Sequence, residues 1–200
     1  MRKSKSDTVE TRKRIVSAAA ELFLARGITS TSISDVMTVA GLTKGGFYRH
    51  FDSKEQLIAE ANRLAFDYLF QMFESKIEGK TPKQSLDIIV HSYLYQRQLK
   101  ELVYKCPLSN LGSELKRSDD CVTAVAVDGY QRLVREVARH TERMKIAEHE
   151  AAARSIVSVL VGSVTLSELM FDGIAAKLIL ANAERAVHAL CQPAPRVRRV

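Results

Sequence analysis

The chain has 200 residues, of which 46% are hydrophobic and 26% charged, and it carries a formal net charge of +7. This composition is typical of a globular protein that is long enough to bury a core. Three cysteines without a CxxC pair argue against a disulfide framework or a structural zinc site and favour a reducing compartment. No apolar run follows the charged N-terminus as in a signal peptide, and the longest uncharged apolar run, residues 155–167, is too short and too rich in Ser and Gly to span a membrane, so we expect a cytoplasmic protein.

The excess positive charge lies near the N-terminus. Residues 1–54 contain ten Lys and Arg against five Asp and Glu, whereas the rest of the chain contains twenty against eighteen. This asymmetry indicates a nucleic-acid-binding end, and the alternative is a basic terminus that is only solvated. Residues 1–7 are predicted to form a flexible basic arm.

Two helices are predicted after this arm. Apolar residues at i, i+4, i+7 and i+8 predict an amphipathic helix over residues 8–26, which Gly27 ends. Ser32 and Asp35 resemble a capping box at the start of a second helix, which ends before Gly41. The predicted buried face of the second helix consists of Ile33, Val36, Met37 and Ala40.

The stretch TKGGFYRHFDSKEQL, residues 43–57, predicts a very short third helix, a break and the start of a long fourth helix. Glycine inside a helix costs about 1 kcal/mol relative to alanine, so Gly45 and Gly46 make sense where the backbone lies close to a partner. A helix start flanked by cations suits phosphate. A helix, a glycine-containing turn and a second helix with exposed polar residues form a helix-turn-helix, which indicates DNA binding.

The remaining sequence predicts helices and no strands. The fourth helix begins with a capping-box pair, Ser53 and Gln56, and a fifth helix begins at Pro82 and is expected to continue to Pro107. The helices that follow are predicted at 108–117, 118–140, 146–170 and 174–190. The predicted fold class is all-α with about nine helices. It comprises an N-terminal three-helix helix-turn-helix module and a C-terminal helical ligand-binding and dimerisation domain.

The predicted domain boundary lies between residues 54 and 55. Residues 8–54 form the expected DNA-binding domain, residues 55–192 the ligand-binding and dimerisation domain, and residues 1–7 and 193–200 flexible tails. The last two helices are nearly uncharged and rich in small residues, which favours a homodimer through a four-helix interface; the alternative is that they close the monomer core. Those small residues are Ala151, Ala152, Ser155, Ser158, Gly162, Ser163 and Ser167.

The segment TSISDVMTVAGLTKGGFYRHFDSKEQL resembles the N-terminal signature of the TetR family of bacterial transcriptional regulators. The resemblance covers roughly residues 8–61. One departure, Met37-Thr38 before Val39-Ala40, changes packing and not chemistry. Beyond residue 61 the resemblance implies the fold and dimerisation but no particular ligand. The matching positions are Phe23, Gly27, Thr31, Ile33, Ala40, Gly41, Gly45, Tyr48, His50, Phe51, Lys54 and Leu57.

The resemblance also implies the residues that contact operator DNA. Lys44 is the candidate for a contact with a base edge, because a lysine can reach the acceptors of guanine in the major groove. Arg49 is a candidate for a base or a phosphate contact. The residues that begin the recognition helix are Thr43, Lys44, Gly45 and Gly46. The residues expected at the DNA backbone are Thr31, Ser32, Tyr48, His50 and Lys54.

Members of the family typically release DNA when a small molecule binds between their middle helices, so the resemblance implies an effector. Aromatic residues in this part of the sequence imply an apolar or aromatic effector, unless they are plain core. The candidate pocket walls are Phe66, Phe70, Phe73, Tyr93, Tyr104, Tyr130 and Phe171. Cys106, beside Lys105, suggests an alternative regulator that senses oxidants or electrophiles through its thiol, unless that thiol is buried and inert.

Other classes of function have less support in the sequence. The five histidines are scattered, and the chain has no nucleophile elbow, P-loop or dinucleotide fingerprint, so we expect neither an enzyme nor a bound cofactor or metal. A nonspecific DNA-binding protein is the other alternative, and it would show a steep salt dependence with little sequence preference. The sequence does not define the operator, the effector or the regulated genes.

Overall fold

A computed structural model describes residues 5–96 and 105–192, and within these ranges the chain is all-helical, as predicted. The described part contains eight α-helices and one short 3-10 helix. Their bounds are α1 Lys5–Arg26, α2 Ile33–Val39, the 3-10 helix Lys44–Arg49, α3 Lys54–Ile77, α4 Pro82–Leu94, α5 Pro107–Leu115, α6 Asp120–Arg143, α7 His149–Leu169 and α8 Gly173–Leu190.

Local sequence signals place most of these helix ends. Ser32 Oγ accepts a hydrogen bond from Asp35 N at 3.2 Å, and Ser32 N donates to Asp35 Oδ2 at 2.8 Å, so the capping box of α2 is confirmed. Gly27, with φ +89°, and Gly41, with φ +67°, follow α1 and α2 in the left-handed region that glycine adopts without strain. The amide of Gln56 donates to Ser53 Oγ at 3.1 Å, but its side chain accepts from Asp52 N, so only half of the predicted box forms at α3.

Several predicted boundaries, and the type of one helix, differ from the structure. Helix α1 already begins at Lys5, so part of the predicted arm is helical. The predicted third helix is a 3-10 helix of six residues. Helix α4 ends at Leu94 rather than at Pro107, and residues 97–104 lie outside the described part of the chain. The predicted C-terminal tail, residues 193–200, also lies outside it.

The described residues divide into two compact units. The first contains residues 5–72 and 105–130, and the second contains residues 73–96 and 131–192. The core of the first unit includes side chains of α1, α2, the 3-10 helix and α3, all at most 1% exposed: Ile15, Phe23, Met37, Phe47, Phe51 and Leu57. The predicted boundary at residues 54/55 does not coincide with a limit of either unit, and the division into two functional domains stays a prediction.

The second unit is built around α7 and α8, which pack against each other and against α4. The buried side chains of α7, Ile156, Leu160 and Val164, are spaced four residues apart and form one stripe of the helix. Among the described residues, α7 is the one helix long and apolar enough to cross a membrane by length and composition. A single such helix is weak evidence for a span, because core helices pass the same test.

Gly129 of α6 lies directly against a buried aromatic ring of α3. A Cβ atom at this position would lie 2.2–2.5 Å from three ring atoms of Phe66, whose side chain is itself 1% exposed. No side-chain carbon fits at that distance. The ring of Phe66 therefore requires glycine at residue 129.

We expect Gly129→Ala to lower the free energy of unfolding by about 1–3 kcal/mol, because the added methyl group must displace a buried ring. The matched control is Gly112→Ala in α5, where an added Cβ meets nothing within 4 Å. That control should be neutral or stabilising by up to about 1 kcal/mol. Thermal and urea unfolding compare the two variants, and equal stabilities would contradict the packing described at Phe66.

Candidate nucleic-acid interface

Helix α2 and the 3-10 helix are held at a fixed angle by a short turn and by buried aromatic rings. Leu42 N donates to Met37 O at 2.8 Å and Gly41 N donates to Thr38 O at 3.0 Å, which closes the turn. Phe47 and Phe51 are buried, and their rings stack with centroids 5.4 Å apart. Burial of these two rings fixes which side of the 3-10 helix faces away from the protein.

The outward side of the 3-10 helix is polar and cationic. Tyr48 is 69% exposed, and its ring meets the edge of Phe47 at a centroid distance of 5.1 Å. Thr43, Lys44 and Arg49 are exposed as well. Thr43 occupies the N-cap position, but its side chain makes no cap hydrogen bond. Two cations, a hydroxyl and a phenol are thus exposed within this short stretch.

Gly45 and Gly46 have no role in internal packing that only glycine could fill. A Cβ at Gly45 would meet nothing within 4 Å, and one at Gly46 would make an ordinary contact of 3.6 Å with Met37 Cε. Neither residue has a positive φ. Gly45 therefore leaves bare backbone at the exposed surface of the helix, whereas Gly46 is half-buried beside Met37.

Thr31 and Ser32 differ in their access to a partner. Thr31 is 1% exposed, and its hydroxyl donates to Gly27 O at 2.7 Å. The structure does not support the predicted DNA contact by Thr31, because its side chain braces the α1–α2 loop instead. Ser32 is exposed, but its hydroxyl and amide already bond to Asp35. Hydrogen bonds from Ser32 lower the pKa of the Asp35 carboxyl, which is therefore ionised at neutral pH.

Lys54 and His50 also have partners within the protein. The ammonium group of Lys54 donates to Ile28 O at 3.0 Å, which uses one of its three N–H groups. His50, the C-cap of the 3-10 helix, is partly exposed, and its backbone carbonyl accepts a hydrogen bond from Arg12 Nη1. Contacts of both side chains with phosphate stay predictions.

Sequence reasoning missed Arg12, which joins three elements of the interface. Its guanidinium lies over the ring of Phe51, 4.1 Å from the centroid, and donates to His50 O at the end of the 3-10 helix. Nε also donates to Glu60 Oε2 of α3 at 3.2 Å, and Nη2 donates to Glu60 Oε1. No local pattern signals this cluster, because its partners are 38 and 48 residues away in the sequence.

The predicted pocket residues fall into different environments. Phe66, Phe70, Phe73 and Tyr93 are buried, and Tyr130 is partly exposed. Phe171 is fully exposed in the turn between α7 and α8, so the prediction that it lines a pocket is not supported. Tyr104 lies outside the described residues.

Cys106 is 0% exposed and occupies the N-cap position of α5. A thiol with no solvent access is poorly placed to meet an oxidant, which favours the alternative of a buried, inert cysteine. Across residues 5–96 and 105–192, no three His, Cys, Asp or Glu side chains come together as a group that could hold a metal ion.

A family model described as "Bacterial regulatory proteins, tetR family" matches residues 15–61, which contain α2, the 3-10 helix and the start of α3. Similarity to individual proteins extends further. The HTH-type transcriptional regulator AcrR of Shigella flexneri is 31% identical over 93 residues, which cover 45% of this chain but only 43% of that relative. An uncharacterised HTH-type transcriptional regulator of Lactococcus lactis is 26% identical over 171 residues, 81% of this chain and 85% of the relative.

The whole fold has counterparts among solved structures. A TetR transcriptional regulator from Chloroflexus aurantiacus superimposes with a TM-score of 0.79 and 24% identity, over 92% of this chain and 95% of that one. At this identity the likeness concerns the fold alone. It extends over the C-terminal helices, where the family model does not match.

Proposed function

Because this chain belongs to the TetR family of bacterial regulatory proteins, we propose that it is a DNA-binding transcriptional regulator that acts as a repressor. It binds a palindromic operator as a homodimer in the cytoplasm, and a small apolar or aromatic effector releases it. The observation that carries the proposal is the exposed part of the 3-10 helix, where Lys44, Tyr48 and Arg49 accompany Gly45, whose Cβ position meets no other atom of the protein.

The chemistry of this exposed part suits the major groove. Lysine at the start of the helix can donate to guanine O6 and N7, and tyrosine and arginine can donate to phosphate oxygens. Glycine at residue 45 lets the helix backbone approach the groove without a side chain between them. The excess positive charge of residues 1–54 adds affinity that depends on salt concentration.

A homodimer is supported by a face of α7 and α8 that nothing in the described part of the chain covers. Opposite the buried stripe, α7 carries small or apolar residues, including Ser155, Ser158 and Leu169, and a Cβ at Gly162 would meet nothing within 4 Å. Helix α8 adds Ile174, 70% exposed, and Leu178, 58% exposed. Small residues allow two helices to approach closely, and the leucines and isoleucine lose contact with water when a second copy packs there.

The apolar or aromatic effector follows from the aromatic residues of the middle helices: Phe66 and Phe70 are buried in the first unit, and Phe73 and Tyr93 in the second. The aromatic set is smaller than the sequence suggested, because Phe171 is exposed. Burial of Cys106 gives the redox alternative less support than the effector.

Fluorescence anisotropy with labelled duplexes tests the proposal. The affinity of the wild-type protein is measured for DNA from immediately upstream of its own gene and for an unrelated duplex of the same length. Both measurements use the same salt concentration. We expect the upstream DNA to bind about 10³-fold more tightly. Equal, weak binding to every duplex tested, with a steep salt dependence, would identify a nonspecific DNA-binding protein instead.

Gly45→Ala separates DNA contact from folding in the same assay. A methyl group at residue 45 has free space within the protein, so we expect the thermal unfolding midpoint to stay level or rise. We expect affinity for the preferred duplex to fall by roughly tenfold, because the methyl group enters the space between helix and groove. Unchanged affinity would show that the 3-10 helix does not approach DNA through Gly45.

A further inference from the structure

The loop between α1 and α2 is held by a side chain from a distant part of the sequence. Glu114, on the last turn of α5, lies 86 residues beyond Ile28. Its Oε1 accepts from Ile28 N at 3.2 Å, and its Oε2 accepts from Thr29 N at 2.7 Å and from Thr29 Oγ1 at 2.8 Å. One carboxylate thus satisfies two backbone amides and a hydroxyl in a loop of six residues.

The rest of the loop is arranged around this carboxylate. A Cβ at Gly27 would lie 2.7 Å from Glu114 Oε1, so only glycine admits the carboxylate at that distance. Ile28, whose amide donates to Glu114, is also held through its carbonyl. Its oxygen accepts a hydrogen bond from Lys54 Nζ at 3.0 Å. The amide and the carbonyl of Ile28 are therefore fixed by oppositely charged side chains from α5 and α3.

We infer that Glu114 is a positioning residue for DNA binding, which fixes the entry to α2 and thereby the orientation of the helix-turn-helix. This inference rests on the proposed function. Helix α2 starts four residues after Thr29 and packs on the 3-10 helix, with Met37 Cε 3.6 Å from the Cβ position of Gly46. A shift of the loop therefore moves α2 and, through Met37, the 3-10 helix that carries Lys44 and Tyr48.

The surroundings of the Glu114 carboxyl favour its ionised form. Partial burial raises the pKa of the Glu114 carboxyl, but hydrogen bonds from Thr29 and Ile28, together with the Lys54 ammonium, outweigh it and leave the pKa below its ordinary value. The carboxylate is thus ionised at neutral pH. Hydrogen bonds to an ionised acceptor are stronger than those between neutral groups.

Three variants test the inference. Glu114→Ala removes both acceptor oxygens, Glu114→Gln keeps one of them, and Ser113→Ala changes the adjacent exposed residue of α5 as a matched control. The affinity of each full-length variant for the duplex that the wild type prefers is measured by fluorescence anisotropy. The temperature is kept below the unfolding midpoint of the variant. The amide resonances of Ile28 and Thr29 are followed in ¹H–¹⁵N spectra without DNA.

We expect the affinity of Glu114→Ala to fall by roughly tenfold, that of Glu114→Gln to fall less, and that of Ser113→Ala to match the wild type. The Ile28 and Thr29 amide resonances should shift in both Glu114 variants. If Glu114→Ala does not fold, the DNA affinity of Glu114→Gln tests the inference in its place. Wild-type affinity in the Glu114 variants would overturn the inference and leave the proposed function standing, whereas a wild type without duplex preference would remove both.

Discussion

Replacing Leu178 by arginine is expected to convert the dimer into a monomer and to lower operator affinity by roughly 10²- to 10⁴-fold, because the second helix-turn-helix loses its linkage to the first. Leu178 is 58% exposed on the uncovered face of α8. The monomer can therefore accommodate an arginine at this position with its charge in water. In the dimer, two copies of the charge would be brought into an apolar interface without partners, at a cost that the remaining contacts cannot offset.

The matched control for this experiment is Val127→Arg. Val127 is a similarly exposed apolar residue, at 49%, but it lies on α6 in the other compact unit. Size-exclusion chromatography with light scattering gives the oligomeric state, and anisotropy gives the affinity. A dimeric Leu178→Arg protein with normal DNA binding would show that the partner lies elsewhere, whereas loss of the dimer in both variants would point to a general effect of added charge.

Replacing Arg12 by methionine is expected to destabilise the protein by about 2–3 kcal/mol, because one change removes an interaction with an aromatic ring and several charged hydrogen bonds. Methionine keeps most of the length of the side chain, but it leaves His50 O without this donor and Glu60 without its ion pair. The C-terminal end of the 3-10 helix then loses its connection to α1, so we expect DNA affinity to fall as well.

Arg14→Met, two residues along α1, is the control for Arg12→Met, because Arg14 is exposed. Urea unfolding of the single variants, and of Arg12→Met combined with Glu60→Gln, forms a double-mutant cycle. We expect the combined effect to be smaller than the sum of the single effects, since both changes break the same ion pair. Additive effects of Arg12→Met and Glu60→Gln on the free energy of unfolding would contradict the interaction of Arg12 with Glu60. A loss of stability in Arg14→Met equal to that in Arg12→Met would contradict a specific structural role of Arg12.

The helices and the DNA-binding motif could be predicted because their signals are local. Ser32 and Asp35 cap α2 across three residues, and the glycines that end α1 and α2 take left-handed backbone conformations next to the helices they stop. Phe47 and Phe51 are spaced four residues apart, as on one side of a helix, and both are buried.

The contacts that hold the motif in place could not be predicted, because they depend on which distant elements meet. Arg12 and Glu114 look like ordinary surface charges in the sequence, and only the fold brings them to His50 O and to the Thr29 amide. The same limit explains two misplaced residues. Thr31 matches the family signature but is buried, and Phe171 is aromatic but lies in an exposed turn, since residue type does not determine depth.

The most direct test of the account is selection of duplexes from a random library by the purified wild-type protein, followed by sequencing of the bound DNA. We expect enrichment of an inverted repeat whose half-sites are separated by one helical turn or a multiple of it, about 34–36 Å per turn, because a two-fold dimer presents two identical helix-turn-helix motifs. Enrichment of no sequence, or of a single unrepeated site, would contradict a dimeric, operator-specific regulator.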